Sequence, residues 1–193
     1  MQINSRIPLS LNLAFRLAVT LAAGCANVSD FDEFGHLEPA ELTGLQTNLM
    51  LRSTRCNPRI IHGLPAEVGL DLEFPAEEVE KLEPPCSPHP QPALEVDIVE
   101  GSLIFDFGSV DGPGAYPDAE FEGYEVLFKR NCGDPAVVEV AIDRAVSNID
   151  IPDDNVQTLF DRVHINLAGM AYDPASFLKI DLRVVEIKCG NAL

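Results

Sequence analysis

The sequence has no tryptophan, three tyrosines, and only 13 lysines and arginines against 31 aspartates and glutamates. Carbohydrate-binding faces and protein hot spots commonly draw on Trp and Tyr, so both readings lose weight. The shortage of basic residues leaves a formal net charge of −18. Such a field repels nucleic acid and anionic lipid headgroups, and no nucleic-acid partner is expected. It favours cations, basic partners or plain solubility. The most apolar stretch lies near the start, but Asn12 and Arg16 interrupt it, and a membrane span needs about 20 consecutive apolar residues. No Gly-rich phosphate loop and no serine in a nucleophile elbow are present.

What is present begins with a targeting layout. Arg6 and Arg16 are the only charges before Cys25, a short apolar segment runs from Leu17 to Ala23, and small residues lead out of it. A cationic start, a brief hydrophobic core and a small-residue exit make a secretory signal. The ending Leu21-Ala22-Ala23-Gly24-Cys25 resembles the lipobox of bacterial lipoproteins. That resemblance implies cleavage before Cys25, acylation of its thiol, and stable membrane attachment through several chains. With Ala26 rather than Asp after the cysteine, it further implies the outer membrane or cell surface. Residues 1–24 hold two basic and no acidic residues, so the mature chain carries a formal charge of −20.

The chain has five cysteines, at positions 25, 56, 86, 132 and 189. An odd count in an exported protein leaves one over. If Cys25 carries lipid, as the resemblance implies, Cys56, Cys86, Cys132 and Cys189 remain, and two disulfides are expected in an oxidising compartment. Four cysteines allow three connectivities, of which Cys56–Cys86 with Cys132–Cys189 is the simplest.

Residues 25–44 read as a tether, punctuated by Asn, Ser, Asp, Gly and Pro. Beyond it the sequence alternates. Val68, Leu70, Leu72 and Phe74 form one period-two set, Leu103, Phe105 and Phe107 another, and Tyr124, Val126 and Phe128 a third. Val138, Val140 and Ile142 follow, then Val163, Ile165 and Leu167, then Leu178, Ile180, Leu182 and Val184. Period two with one apolar face marks half-buried strands. After Val184 the phase slips to Val185 and Ile187, which predicts a β-bulge. Weaker strands are expected over 45–55, 94–99 and 149–151, and a short helix over 75–82, opened by Pro75 with Glu77 and Glu78 in its first turn. Five prolines within residues 84–92 forbid helix and central strand there. Many short strands between turn clusters predict an all-β fold, an antiparallel β-sandwich of the Ig-like or jelly-roll-like kind. The expected division is a signal at 1–24, a lipid-anchored tether at 25–44, and a sandwich domain at 45–193 with a Pro-rich connection at 84–92.

Three constellations are candidates for chemistry. Cys56, His62, Cys86 and His89 could hold zinc, but the spacing is not a zinc pattern and export favours oxidised thiols. The segment from Asp106 to Glu122 carries five carboxylates, three glycines and two prolines. Ca²⁺ takes six to eight oxygens from flexible loops, and Asp111 and Asp118 are the best candidate ligands, although a solvated acidic loop explains the same composition. His164 lies inside a predicted strand between Val163 and Ile165. Parity turns it away from the core, an exposed strand position. No catalytic constellation emerges, and the chain is expected not to be an enzyme. The reading is an anchored binding or accessory subunit of a membrane-associated assembly, needing no cofactor apart from possible Ca²⁺. The alternatives are a calcium-dependent surface binding module and an envelope hydrolase using carboxylates.

Overall fold

An alternating run can take one face out of water while its backbone stays hydrogen-bonded in a ladder. In the computed structural model, which describes residues 40–55, 63–82, 91–99, 101–131, 133–159 and 161–186, most of the alternating runs are strands. They are β1 (Gln46–Ser53), β2 (Gly63–Glu67), β3 (Glu95–Val99), β4 (Ser102–Asp106), β5 (Gly114–Ala115), β6 (Glu122–Lys129), β7 (Pro135–Ile142), β8 (Val156–Leu159), β9 (Arg162–Asn166), β10 (Ala171–Tyr172) and β11 (Phe177–Glu186). The one described α-helix, α1 (Ala76–Val79), lies between β2 and β3.

Two main sheets result, ordered β2-β1-β6-β9-β8 and β3-β4-β11-β7, with a small β5-β10 ribbon beside them. Every pairing between named strands is antiparallel. β1 lies between β2 and β6, so Gln46–Ser53 and Gly63–Glu67 share a sheet with Glu122–Lys129, Val156–Leu159 and Arg162–Asn166. One apolar core draws on both sheets: Leu49, Tyr124, Val126, Val163 and Ile165 from the first, and Val96, Leu103, Phe105, Leu178 and Ile180 from the second. Removing a side chain such as Phe105 fully from water favours folding by about 1.5–3 kcal/mol. All three tyrosines meet in one aromatic group with Phe105 and Phe107. Tyr116 lies 5.4 Å from Tyr172 and 6.5 Å from Tyr124 between ring centroids, and Phe107 stacks on Tyr172 at 5.5 Å.

Several expectations need correction. Residues 68–74 are not a strand: Val68 and Phe74 are buried, but Leu70 is fully exposed and the chain bends between them. The reason is local. The Glu73 carboxylate accepts the Gly69 N–H at 2.9 Å and the Ile98 N–H at 2.8 Å, which curls the segment, and only Phe74 bridges to β3. The strand lies just before it, in the unpatterned Gly-Leu-Pro-Ala-Glu of β2. Ile149 and Ile151 are buried without forming a strand. The helix is shorter than residues 75–82. A bulge is present, but its extra residue is on the neighbouring strand. β11 and β7 shift register between Arg183 and Val184, so that Arg183 faces Glu139 and Val184 faces Val137. The residue left over is Val138, which is 44 % exposed although its alternation suggested burial.

The expected disulfides are also overturned. No disulfide bond is found among the described residues; all five cysteine positions lie outside them. An even number of cysteines permits pairing but does not place two Cα atoms within the roughly 4.4–6.8 Å a disulfide requires. The described core is continuous across both sheets without a staple. At this length a hydrophobic core suffices, whereas chains below about 40 residues usually need covalent or metal help.

Candidate functional site

The most organised polar group is on the face of the five-stranded sheet turned away from the core. Tyr124, Val126 and Phe128 of β6 point inward, so Glu125 between them points out. Its neighbours across the ladder are Met50 on β1 and His164 on β9. An outward glutamate on a sheet is normally solvated, yet the Glu125 side chain is only 1 % exposed. Arg52 Nη1 donates to Oε1 at 2.5 Å, and Arg162 Nη1 donates to Oε2 at 3.3 Å. Arg162 also donates from Nε to Asp161 at 3.2 Å. One buried carboxylate thus ties guanidiniums from two other strands into a fixed pair, each about a third exposed.

His164 completes the group. Its Nε2 is 3.6 Å from Glu125 Oε1, beyond a hydrogen bond, and this buried nitrogen has no partner among the described residues. Burial holds the imidazole below its usual pKa; Arg52 and Arg162 add to that, and Glu125 opposes it. The ring is therefore neutral at pH 7. Phe121 forms a wall, with its ring centroid 5.4 Å from the Arg52 guanidinium carbon and 5.9 Å from the His164 ring, which it meets edge-on. Such a cation–π contact contributes about 0.5–1 kcal/mol at an exposed site.

A second buried carboxylate sits at the start of the same strand and faces inward. Glu122 is fully buried, Ser53 Oγ donates to it, and Arg55 Nε reaches it at 3.3 Å. Near it are the buried hydroxyls of Tyr116 and Tyr124, neither hydrogen-bonded among the described residues. Burial pushes both phenols far above their usual pKa, with Glu122 among the smaller causes. Glu122 is engaged structurally and unavailable to the acidic loop assigned to it from sequence.

The loop itself does not gather its carboxylates. Asp106 caps the Gly108 N–H at 2.8 Å, while Asp111 and Asp118 are exposed. Among the described residues, no three His, Cys, Asp or Glu side chains come together to hold a metal. Cys25, Cys56, Cys86, Cys132, Cys189, His62 and His89 lie outside the described residues. His164 faces away from the core as parity required, but it is largely covered rather than an exposed strand position: its side chain is 14 % exposed. Asp161 is in the turn before β9 and 41 % exposed.

Sequence reasoning missed Glu125, Arg52 and Arg162. A signal existed: Glu125 interrupts a strongly apolar strand, and Arg162 and His164 flank Val163 on one parity. What joins them is the order β1-β6-β9, which no local pattern encodes. The chain matches no protein-family model, no curated protein and no solved structure.

Proposed function

We propose that this chain is a lipid-anchored, non-catalytic binding module of the bacterial outer envelope, a β-sandwich that presents the solvent face of its five-stranded sheet to a protein of a membrane-associated assembly. The anchor rests on the lipobox-like ending at Cys25. The binding face rests on one observation, the burial of Glu125 between Arg52 and Arg162. A desolvated ion pair is a weak source of stability, and apolar residues of similar volume often do as well or better. Its value is positional: two guanidiniums on a solvent face are held in one geometry, with their side-chain entropy already spent before a partner arrives. Arginine is also among the residues enriched at interface hot spots.

A binding role suits the chemistry of the cluster better than catalysis. The charged groups around His164 are Glu125, Arg52 and Arg162, and both Glu125 oxygens are engaged. None of these is a nucleophile oriented by a base. The test is crosslinking in native membranes followed by recovery of the neighbours. Arg52→Glu with Arg162→Glu should strip neighbours that the wild type retains, while Asp181→Asn on the other sheet should not. Identical neighbours for wild type and the double variant would refute the reading.

A further inference from the structure

We propose that Arg52, Arg162 and His164 form a site for one compact oxyanion group carried by the partner, and that His164 takes up a proton as that group binds. The inference rests on the reading of this face as the binding surface and assigns it a ligand chemistry.

The donors come first. Arg52 uses Nη1 on Glu125, and Arg162 uses Nη1 and Nε on Glu125 and Asp161. Among the described residues neither Nη2 makes a hydrogen bond. Two partly exposed guanidiniums with unspent donors match the geometry of a carboxylate or a tetrahedral oxyanion, which arginine binds in a planar, forked fashion. The Phe121 ring limits the site on one side. At pH 7 the two guanidiniums are balanced by Glu125 and Asp161, with a neutral imidazole beside them, so the cluster has no net charge. The chain as a whole has a formal charge of −18. That field repels a polyanion at long range, so the fitting ligand is a single oxyanion on an otherwise neutral or basic partner.

The proton follows from the same geometry. The groups facing His164 are Glu125 across β6, Gln157 across β8, Arg162 on its own strand, Arg52 beyond Glu125, and Phe121. Without a ligand, burial first and the two guanidiniums second favour the neutral ring, and its Nε2 points at no acceptor within hydrogen-bond range. An arriving oxyanion adds negative charge and draws the guanidiniums toward itself, both of which favour the charged imidazole. A protonated Nε2 then donates to Glu125 Oε1, 3.6 Å away before it moves, and takes over part of the neutralisation that Arg52 supplied. Atoms balance simply: one proton comes from solvent, and no covalent bond forms.

The experiment follows the His164 imidazole resonance of the intact chain by NMR, assigned by its loss in His164→Asn. It is titrated with pH in sodium chloride, sodium sulfate and sodium acetate at equal ionic strength. The expected result is a higher His164 midpoint in at least one oxyanion than in chloride. Sulfate keeps its charge across this range, so its binding should weaken by about tenfold per pH unit between the two midpoints, the signature of one proton per anion. A response to sulfate alone identifies a tetrahedral group on the partner, and a response to acetate alone a carboxylate. The shift should vanish in Arg52→Gln and in Arg162→Gln. Equal midpoints in all three salts for the wild type overturn the proposal without any variant, and so does a shift that survives both arginine changes. A silent His164 with crosslinked neighbours still lost in Arg52→Glu/Arg162→Glu refutes the oxyanion site alone. A responsive His164 with unchanged neighbours refutes the binding-module reading alone.

Discussion

The two main sheets turn opposite kinds of charge to solvent. The outward positions of the five-stranded sheet hold Arg52, Lys129 and Arg162 against Glu67 and Glu125. Those of the four-stranded sheet hold Lys179 and Arg183 against Glu95, Asp97, Asp106, Glu139 and Asp181. The difference goes beyond sign. On the acidic face Arg183 and Glu139 meet at 3.3 Å with both side chains more than half exposed. On the other face a single carboxylate is almost sealed and bridges three strands. Screening by water leaves the first arrangement worth little energetically and free to move. Desolvation makes the second costly to break and fixed in geometry. A count of charges, dominated by the acidic majority, describes the first face and conceals the second.

The sharpest test of this contrast is glycine. A Cβ at Gly123 would lie 2.1 Å from the Ile165 carbonyl oxygen, a backbone atom that cannot yield without parting β6 from β9. Gly123→Ala should cost about 3 kcal/mol or more in urea unfolding. A Cβ at Gly108, after β4, would meet only the Asp106 side chain, at 3.1 Å. Gly108→Ala should change stability by less than about 0.5 kcal/mol. Equal effects would erase the claimed difference in rigidity.

Removing the buried carboxylate comes next. Breaking a fully buried pair costs about 3–5 kcal/mol. Here the guanidiniums are a third exposed, and water relieves part of that, so Glu125→Ala should cost about 2 kcal/mol. Glu139→Ala on the acidic face should cost less than about 0.5 kcal/mol. The measurement is again the urea midpoint at fixed pH. A Glu125→Ala loss as small as that of Glu139→Ala would mean that Glu125 positions nothing.

A smaller effect separates the faces by pH. Glu73 lies beside Asp97 at the edge of the four-stranded sheet; burial and the hydrogen bond with Asp97 raise its pKa to about 7. A carboxyl raised above its unfolded value stabilises the fold while protonated. Its contribution is full below its ordinary value near 4.5 and is lost as pH rises through about 7. The urea midpoint of the wild type should therefore fall more between about pH 5 and pH 8 than that of Glu73→Gln, which cannot ionise. Parallel pH profiles would show that the two carboxyls do not share a proton.

The smallest effect belongs to Lys179. Its amine bridges Asp143 at 2.9 Å and Asp181 at 3.2 Å, and the bond to Lys179 holds Asp143 below its usual pKa. A lowered carboxylate stabilises above its unfolded value and ceases to do so as pH falls through the folded one. Lys179→Met should remove a slight acid-side loss of stability, and added salt should mask the difference. A salt-insensitive effect would place this pair with the sealed cluster rather than the solvated face.

Much of the all-β fold was legible because half-buried strands need alternation, and β4, β6, β9 and most of β11 carry it over several residues. Where one strong local contact competes with the pattern, reading fails. Residues 68–74 alternate well, but the Glu73 carboxylate captures the Gly69 N–H and the segment bends. β2 has no alternation of its own and is a strand because the edge of β1 offers it a ladder. The bulge was legible as a phase slip in β11, but the extra residue belongs to its partner β7, since a register shift is a property of a pair of strands.

By itself, then, the sequence determined the antiparallel β character, the acidity, and the side of its strand on which His164 lies. These depend on residue type and on a period of two, both of which are local. Tertiary structure alone decided that β6 runs between β1 and β9. That order brings Arg52, Glu125, Arg162 and His164, drawn from a span of more than a hundred residues, within reach of one another. Burial of an outward glutamate arises only when neighbouring strands supply the groups that cover it. The neighbours are chosen by how the whole set of apolar faces closes over one core, and no single strand's pattern contains that choice.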